Sequence, residues 1–215
     1  MQILLTAATA KEINPFLEQY NNSKIETPVD VLITGIGLTS AAYHLTKQIN
    51  LKKPDIIIQA GVAGCFDKKI PLGSVLAVKQ DAIADESVIE LKKLKTLFDL
   101  NLVPQNQFPF QNGWLVNPHT AFSGKTRLKK VKAISVNQIT TSKQMIGFYK
   151  KEFNPALESM EGAALHYVCL MEKIIFLQIR SLSNYIGERD KKNWNMKEAI
   201  INLNGAIIRL LKSIK

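Results

Sequence analysis

Two hydrophobic periods alternate along the chain. Short runs rich in Ile, Leu and Val, at residues 2–7, 29–34, 55–60, 72–78, 133–136 and 174–179, have the length and β-branched content of buried strands. Between them lie stretches with apolar residues three to four apart, the spacing of helices, at 9–20, 39–50, 142–153, 158–173 and 200–211. In 158–173 the repeat is carried by Ala163, Ala164, Tyr167, Val168 and Met171. Helical spacing also runs through residues 88–100, before a stretch rich in Pro, Asn and Gln that contains Trp114. Alternation of this kind predicts a three-layer α/β fold. The expected organisation is one domain over residues 1–215, with 88–132 as peripheral elaboration.

Strand ends carry the informative residues. Thr9 and Glu12 have the spacing of a capping box at the start of the 9–20 segment, where Pro15 blurs the helix boundary. The 29–34 run leads into Gly35-Ile36-Gly37, which permits a tight turn and close backbone approach to a ligand. The third glycine of a dinucleotide fingerprint is absent, so that reading is rejected. The 55–60 run leads into Gly61-Val62-Ala63-Gly64. The 174–179 run ends in polar residues, Arg180 to Asn184, where open α/β sheets place their ligands. A carboxylate at a helix start, Glu161, and an amide past a strand end, Asn184, are therefore expected to face one cleft.

Composition narrows the choices. At 46% hydrophobic and 21% charged the chain reads as an ordinary globular protein, without an apolar run of transmembrane length. The N-terminus lacks a basic leader and reads as a first strand, and Cys65 and Cys169 stand far apart with no metal-ligand spacing, so a reducing cytoplasm is expected. The formal charge of +10 raises nucleic acid as a partner. Against it, the basic residues are mostly lysines spread along the chain, with no aromatic-interleaved motif. The densest cluster, Lys125, Arg127, Lys129, Lys130 and Lys132, reads as a solvated loop or strand edge. A positive field would also help to capture a small molecule bearing a carboxylate. His44, His119 and His166 have no partners that make a nucleophile–base pair, and each reads as packing or surface.

Four segments together, ITGIG at 33–37, IIIQAGVAGCF at 56–66, SMEGAA at 159–164 and IRSLSN at 179–184, resemble the nucleoside phosphorylase/nucleosidase superfamily. Within it the pattern is similar to the methylthioadenosine/S-adenosylhomocysteine nucleosidases. The ending SNYIGERDKKNW at 183–194 is closer to the futalosine hydrolases. The resemblance implies a phosphorylase/hydrolase-like three-layer α/β/α sandwich with a central mixed sheet. It implies a cytoplasmic homodimer or higher homo-oligomer that hydrolyses the N-glycosidic bond of a purine nucleoside without metal or cofactor. For the futalosine branch, the reaction releases hypoxanthine and dehypoxanthine futalosine in menaquinone biosynthesis, and a basic residue would meet the substrate's carboxylate.

By the same resemblance, Glu161 matches the glutamate that holds ribose hydroxyls and Glu12 the carboxylate that activates water. Met160 would lie under the ribose. Asn184 stands where methylthioadenosine-type enzymes carry an aspartate. An amide can donate to O6 and accept from a protonated N7, which suits a 6-oxopurine. Arg180 and Ser183 would orient that segment. Ile36, Val62, Ile139, Thr140 and Trp194 fall on or near pocket positions. Blander roles stand beside these. Glu161 could serve the helix dipole, Glu12 the capping box, Asn184 a turn and Arg180 a structural ion pair. Absence of arginine in AATAKE at 7–12 and AGVAGC at 60–65 favours water over phosphate as nucleophile. Two alternatives stay open: a methylthioadenosine/S-adenosylhomocysteine nucleosidase, and a non-catalytic nucleoside- or nucleic-acid-binding protein.

Overall fold

The computed structural model describes residues 1–20, 25 and 27–214. The chain runs β1 (Ile3–Ala7), α1 (Ala10–Tyr20), β2 (Val29–Ile33), α2 (Leu38–Lys52), β3 (Ile56–Cys65), β4 (Val75–Asp81), β5 (Ser87–Glu90) and β6 (Lys93–Thr96). It continues with β7 (Phe110–Gln111), β8 (Trp114–Val116), α3 (Thr120–Gly124), β9 (Lys130–Ser135), α4 (Lys143–Glu152), β10 (Leu157–Ser159), α5 (Gly162–Met171), β11 (Ile175–Tyr185) and α6 (Met196–Ser213). Among the described residues, no helix is long and apolar enough to cross a membrane.

The central sheet is mixed, and helices cover both its faces. β2, β1, β3 and β11 lie parallel, in register Val29–Ile3–Ile56–Ile175. Every residue of β1 is buried, because both faces of that strand meet helices. On one face Ile3, Leu5, Ile58 and Ile179 pack with Ile13 and Phe16 of α1 and Leu203 and Ile207 of α6. On the other, Leu4, Ile57 and Phe176 pack with Leu45 and Ile49 of α2 and Leu165 and Cys169 of α5. The result is a three-layer α/β/α sandwich.

β3 is long enough to pair twice along one edge. Its first half lies beside β1, and its last residues pair antiparallel with β10. From β10 the pairing passes to β9, β4 and β11, and β11 returns to β3, so these five strands close on themselves. Ala63, Leu76, Val131, Leu157 and Leu182, one from each strand, belong to a single apolar cluster.

The structure corrects several sequence expectations. Residues 88–100 are not helical. β5 and β6 form an antiparallel hairpin whose turn residues, Leu91 and Lys92, both have positive φ. The local spacing fits a helix, but only Leu94 and Thr96 of β6 are buried, which is the two-residue period of a strand. β4 begins later than expected and runs on to Asp81. β9 starts at Lys130, so Lys130 and Lys132 lie in a paired strand, and Lys132 Nζ sits 4.9 Å from the Trp114 ring centroid. The segment before α5 is a short strand rather than helix. Arg180 to Asn184 lie within β11, not past its end, with a register shift between Leu182 and Asn184. Pro15 sits inside α1, which continues through it although the Lys11 carbonyl loses its helical donor.

A buried polar group underlies α5. Ser135 Oγ accepts from the Ala163 N–H at 2.9 Å and donates to Asp81 Oδ1 at 3.0 Å. A Cβ on Gly162 would collide with Asp81 Oδ2 and Gln178 Nε2, so only glycine fits above this group. Loss of solvation pushes the Asp81 carboxyl up to about 6, with the Ser135 hydrogen bond opposing it. His166, fully buried and bonded through Nδ1 to the Leu115 carbonyl at 2.8 Å, is pushed down to about 4 by the same loss of solvation.

The Asp81 shift predicts a pH dependence. Between pH 4 and 6 the folded state holds a proton on Asp81 that the unfolded chain has released. The contribution of this group to stability therefore falls as pH rises through the window, while that of His166 rises. The Asp81 change is about 3 kcal/mol. Asp81→Asn should remove this component, read as the difference between wild-type and variant urea-unfolding free energies from pH 4 to 7. Parallel pH curves for the two proteins would contradict it.

Candidate functional site

The carboxyl ends of β1, β2, β10 and β11, with the second half of β3, surround a cavity of about 400 Å³. Its walls bring together residues from distant parts of the chain, and each is held by the element that carries it.

Glu12 lies in the first turn of α1. Its Oε2 accepts from the Thr9 N–H at 3.0 Å and the Thr9 hydroxyl at 3.1 Å, so the Thr9–Glu12 pairing forms with the glutamate as acceptor. Its Oε1 accepts from the Val62 N–H at 3.0 Å. The capping contact and the cavity-facing position therefore belong to the same side chain: capping fixes the carboxylate against β3.

Glu161 is the N-cap residue of α5, but its side chain makes no capping hydrogen bond. Oε1 instead accepts from the Gly37 N–H at 3.1 Å, and Oε2 lies 3.6 Å from Arg180 Nη2. Gly37 presents its N–H from a backbone with φ 95° and ψ 161°, a conformation that only glycine adopts readily. Arg180 has no exposed surface, and its Nη2 also donates to Gln59 Oε1 at 2.6 Å. Gly61 is the gap that accommodates it: a Cβ there would collide with Arg180 Nη1 and stand 2.9 Å from Glu12 Oε1. The guanidinium thus lies against Gly61, with Glu161 on one side and Glu12 nearby.

Asn184 is half-buried. Its Oδ1 accepts from the Ser183 hydroxyl at 2.9 Å, and its Nδ2 donates to the Tyr185 carbonyl at 3.1 Å. A carbonyl only accepts, so this partner fixes which end of the amide is nitrogen. One Nδ2 hydrogen and one Oδ1 lone pair are left over.

Of the residues singled out from sequence, Glu12, Glu161, Asn184, Met160, Ile36, Val62, Ile139, Ser183 and Trp194 all line this cavity. Two do not. Arg180 lies behind the wall as a buried ion-pair partner, because its guanidinium fills the space over Gly61. The Thr140 side chain is buried beside the cavity, and its N–H donates to Glu158 Oε1 at 3.0 Å.

The sequence reading missed Glu158, Lys11, Arg189, Met196 and Ile200, which also line the cavity. Glu158 is 5% exposed, and loss of solvation holds its carboxyl above the usual range. Its place between Leu157 and Ser159 in a strand carried a period-2 signal too short to separate from the helix that follows.

Acidic side chains on a cavity floor, fixed by backbone N–H groups of Val62 and Gly37 in a doubly covered sheet, mark an α/β protein whose candidate ligand site lies toward the strand ends. The family model of the phosphorylase superfamily matches residues 3–214, and the chain belongs to that superfamily. Among its relatives, futalosine hydrolase of Thermus thermophilus is 29% identical, covering 84% of this chain and 80% of the relative. A 5′-methylthioadenosine/S-adenosylhomocysteine nucleosidase of Buchnera aphidicola is 24% identical over 98% of this chain and 96% of its own. Solved structures share the fold. The nucleosidase of Colwellia psychrerythraea, in complex with adenine, superposes with TM-score 0.82 at 20% identity, covering 100% of this chain and 96% of that one. Futalosine hydrolase of Helicobacter pylori superposes with TM-score 0.74 at 20% identity, covering 100% and 95%.

Arg180→Met should destabilise the protein by about 3 kcal/mol or more, because it leaves the buried Glu161 carboxylate and Gln59 without their partner. Urea unfolding measures this. A loss below about 1 kcal/mol would show that the pair contributes little to holding Glu161.

Proposed function

We propose that this chain is a purine nucleosidase that hydrolyses futalosine to hypoxanthine and dehypoxanthine futalosine, a step of menaquinone biosynthesis. The observation that carries the reading is that Glu12 and Glu161, far apart in sequence, open into one cavity with the Asn184 amide. Hydrolysis of an N-glycosidic bond through a cation-like sugar asks for three things: an activated water, an anion near the sugar, and a partner for the departing base.

Glu161 supplies the anion. Its two oxygens hold one backbone N–H and one guanidinium contact, leaving lone pairs to accept from ribose hydroxyls. As positive charge develops on the sugar, a fixed carboxylate interacts more strongly with it, which lowers the barrier rather than the ground state. Glu12 acts as general base toward water through the lone pair that its Val62 contact leaves on Oε1. Asn184 offers the free Nδ2 hydrogen to O6 of a 6-oxopurine and its carbonyl to a protonated N7. Met160, Ile36, Val62, Ile139 and Trp194 supply apolar contacts to the nucleoside. Ser183 acts on the substrate through Asn184, and Arg180 through Glu161.

Similarity to the Thermus futalosine hydrolase and the amide at 184 both support a 6-oxo substrate. The nucleosidase relatives favour a second reading, a 6-amino nucleoside such as 5′-methylthioadenosine. A base-release assay on futalosine, inosine and 5′-methylthioadenosine, with and without phosphate, separates them. Hypoxanthine release from futalosine without phosphate is expected; adenine release alone would replace the substrate assigned here.

Glu12→Gln and Glu161→Gln should each lower kcat by about 10²- to 10⁴-fold while circular dichroism stays that of the wild type. Near-normal turnover in either variant removes the role given to it. Asn184→Asp should raise the ratio of adenine to hypoxanthine release, and an unchanged ratio would reject amide recognition of the base.

A further inference from the structure

The charges around the cavity are sorted by depth. Its buried acids, Glu158 and Glu161, are 5% and 6% exposed. Its cations, Lys11 and Arg189, are exposed at the rim. Lys11 stands in the first turn of α1, and Arg189 in the loop that leads from β11 into α6. α1 and α6 are tied together by Asn204, whose Nδ2 donates to the Glu12 carbonyl at 2.8 Å and whose Oδ1 accepts from the Phe16 N–H at 3.0 Å. Lys11 therefore belongs to the wall that these helices build, and Arg189 to the loop that enters it.

Neither cation is neutralised by the protein. Among the described residues, neither forms an ion pair, although carboxylates flank both in sequence. Those carboxylates serve other donors. Glu188 accepts from the Asp190 N–H at 2.8 Å and Asn193 Nδ2 at 2.9 Å, and Asp190 accepts from the Lys192 N–H at 3.0 Å. Glu12 is held by Thr9 and Val62. The acids fold the loop and cap the helix.

The Arg189 guanidinium carbon lies 5.4 Å from the centroid of the Trp194 ring. Trp194 also lines the cavity, and its Nε1 donates to the Glu188 carbonyl at 3.2 Å. The indole thus holds the guanidinium by its face, and the N–H edge remains for a planar oxyanion.

We infer that Lys11 and Arg189 form an oxyanion subsite at the cavity rim, selecting a nucleoside whose sugar and base go deep and whose 5′ substituent carries a carboxylate. This rests on the nucleosidase reading above and adds the feature that separates an acidic substrate from a neutral one. Inorganic phosphate is the other source of the same chemistry, and the test distinguishes the two.

The test compares futalosine with its methyl ester, which has the same base and nearly the same shape without the charge. Wild-type protein should favour the acid by about 10- to 100-fold in kcat/KM, mostly through KM, as expected for a charge-assisted contact. The preference should shrink with added salt. In Lys11→Gln/Arg189→Gln the ratio should fall toward one, and Lys11→Gln/Arg189→Lys should keep part of it. A ratio unchanged in the double variant, or no preference in the wild type, overturns the subsite. Phosphate that accelerates the wild type but not the double variant assigns the pair to a phosphate co-substrate and also overturns it. Calorimetric binding of acid and ester needs no turnover and isolates the two ideas. A protein that releases no base, yet binds the acid more tightly until both cations are replaced, would sink the nucleosidase reading and keep the subsite.

Discussion

A guanidinium with no exposed surface, on the strand between β3 and β4, is the constraint around which the cavity is built. Desolvating it costs on the order of several kcal/mol unless its donors are taken up. Arg180 donates Nη2 to Gln59 on the neighbouring strand and lies 3.6 Å from the Glu161 carboxylate, which balances its charge, while Gly61 leaves room for the group. These partners come from β3 and from the turn before α5, and the arginine itself from β11. Balancing one buried cation thus ties three elements together and fixes the carboxylate that faces the cavity.

The second carboxylate is positioned by cheaper means. Glu12 needs only the first turn of α1 and one N–H from β3. Gly37 contributes in the same way to Glu161, through a conformation that side chains disfavour. Backbone donors aimed from strand ends are rigid because the sheet holds them, so both acids are oriented before any ligand arrives. Beneath α5, Ser135 and Asp81 continue the polar layer and hold the helix start against β9 and β4. The cavity floor is therefore acidic and internally braced, while the rim is basic.

That gradient links fold to recognition. Packing of α1 on α6 sets the rim, and closure of β3, β10, β9, β4 and β11 sets the floor. The lead-in to α6 carries both Trp194 and Arg189, so the same loop supplies an apolar wall and a cation.

Much of this was legible in the chain. The runs around Leu4, Ile57 and Phe176 fixed the parallel strands because burial on both faces demands continuous apolar residues. Glu12, Gly37, Glu161 and Asn184 were identifiable because each sits at a strand or helix end, where local pattern changes. Tertiary structure decided the rest. The 88–100 segment has helical spacing, yet its hairpin forms because the turn at Leu91 and Lys92 and the burial of Leu94 favour a strand. Arg180 reads as a polar residue past a strand; only its fit over Gly61 makes it a buried partner. Lys11 and Arg189 are separated by most of the sequence, and nothing local distinguishes them from other surface cations. Their common rim exists because α1 packs on α6. Local sequence encodes what a residue can do next to its neighbours in the chain. Which distant charges share a cavity is set by packing between elements.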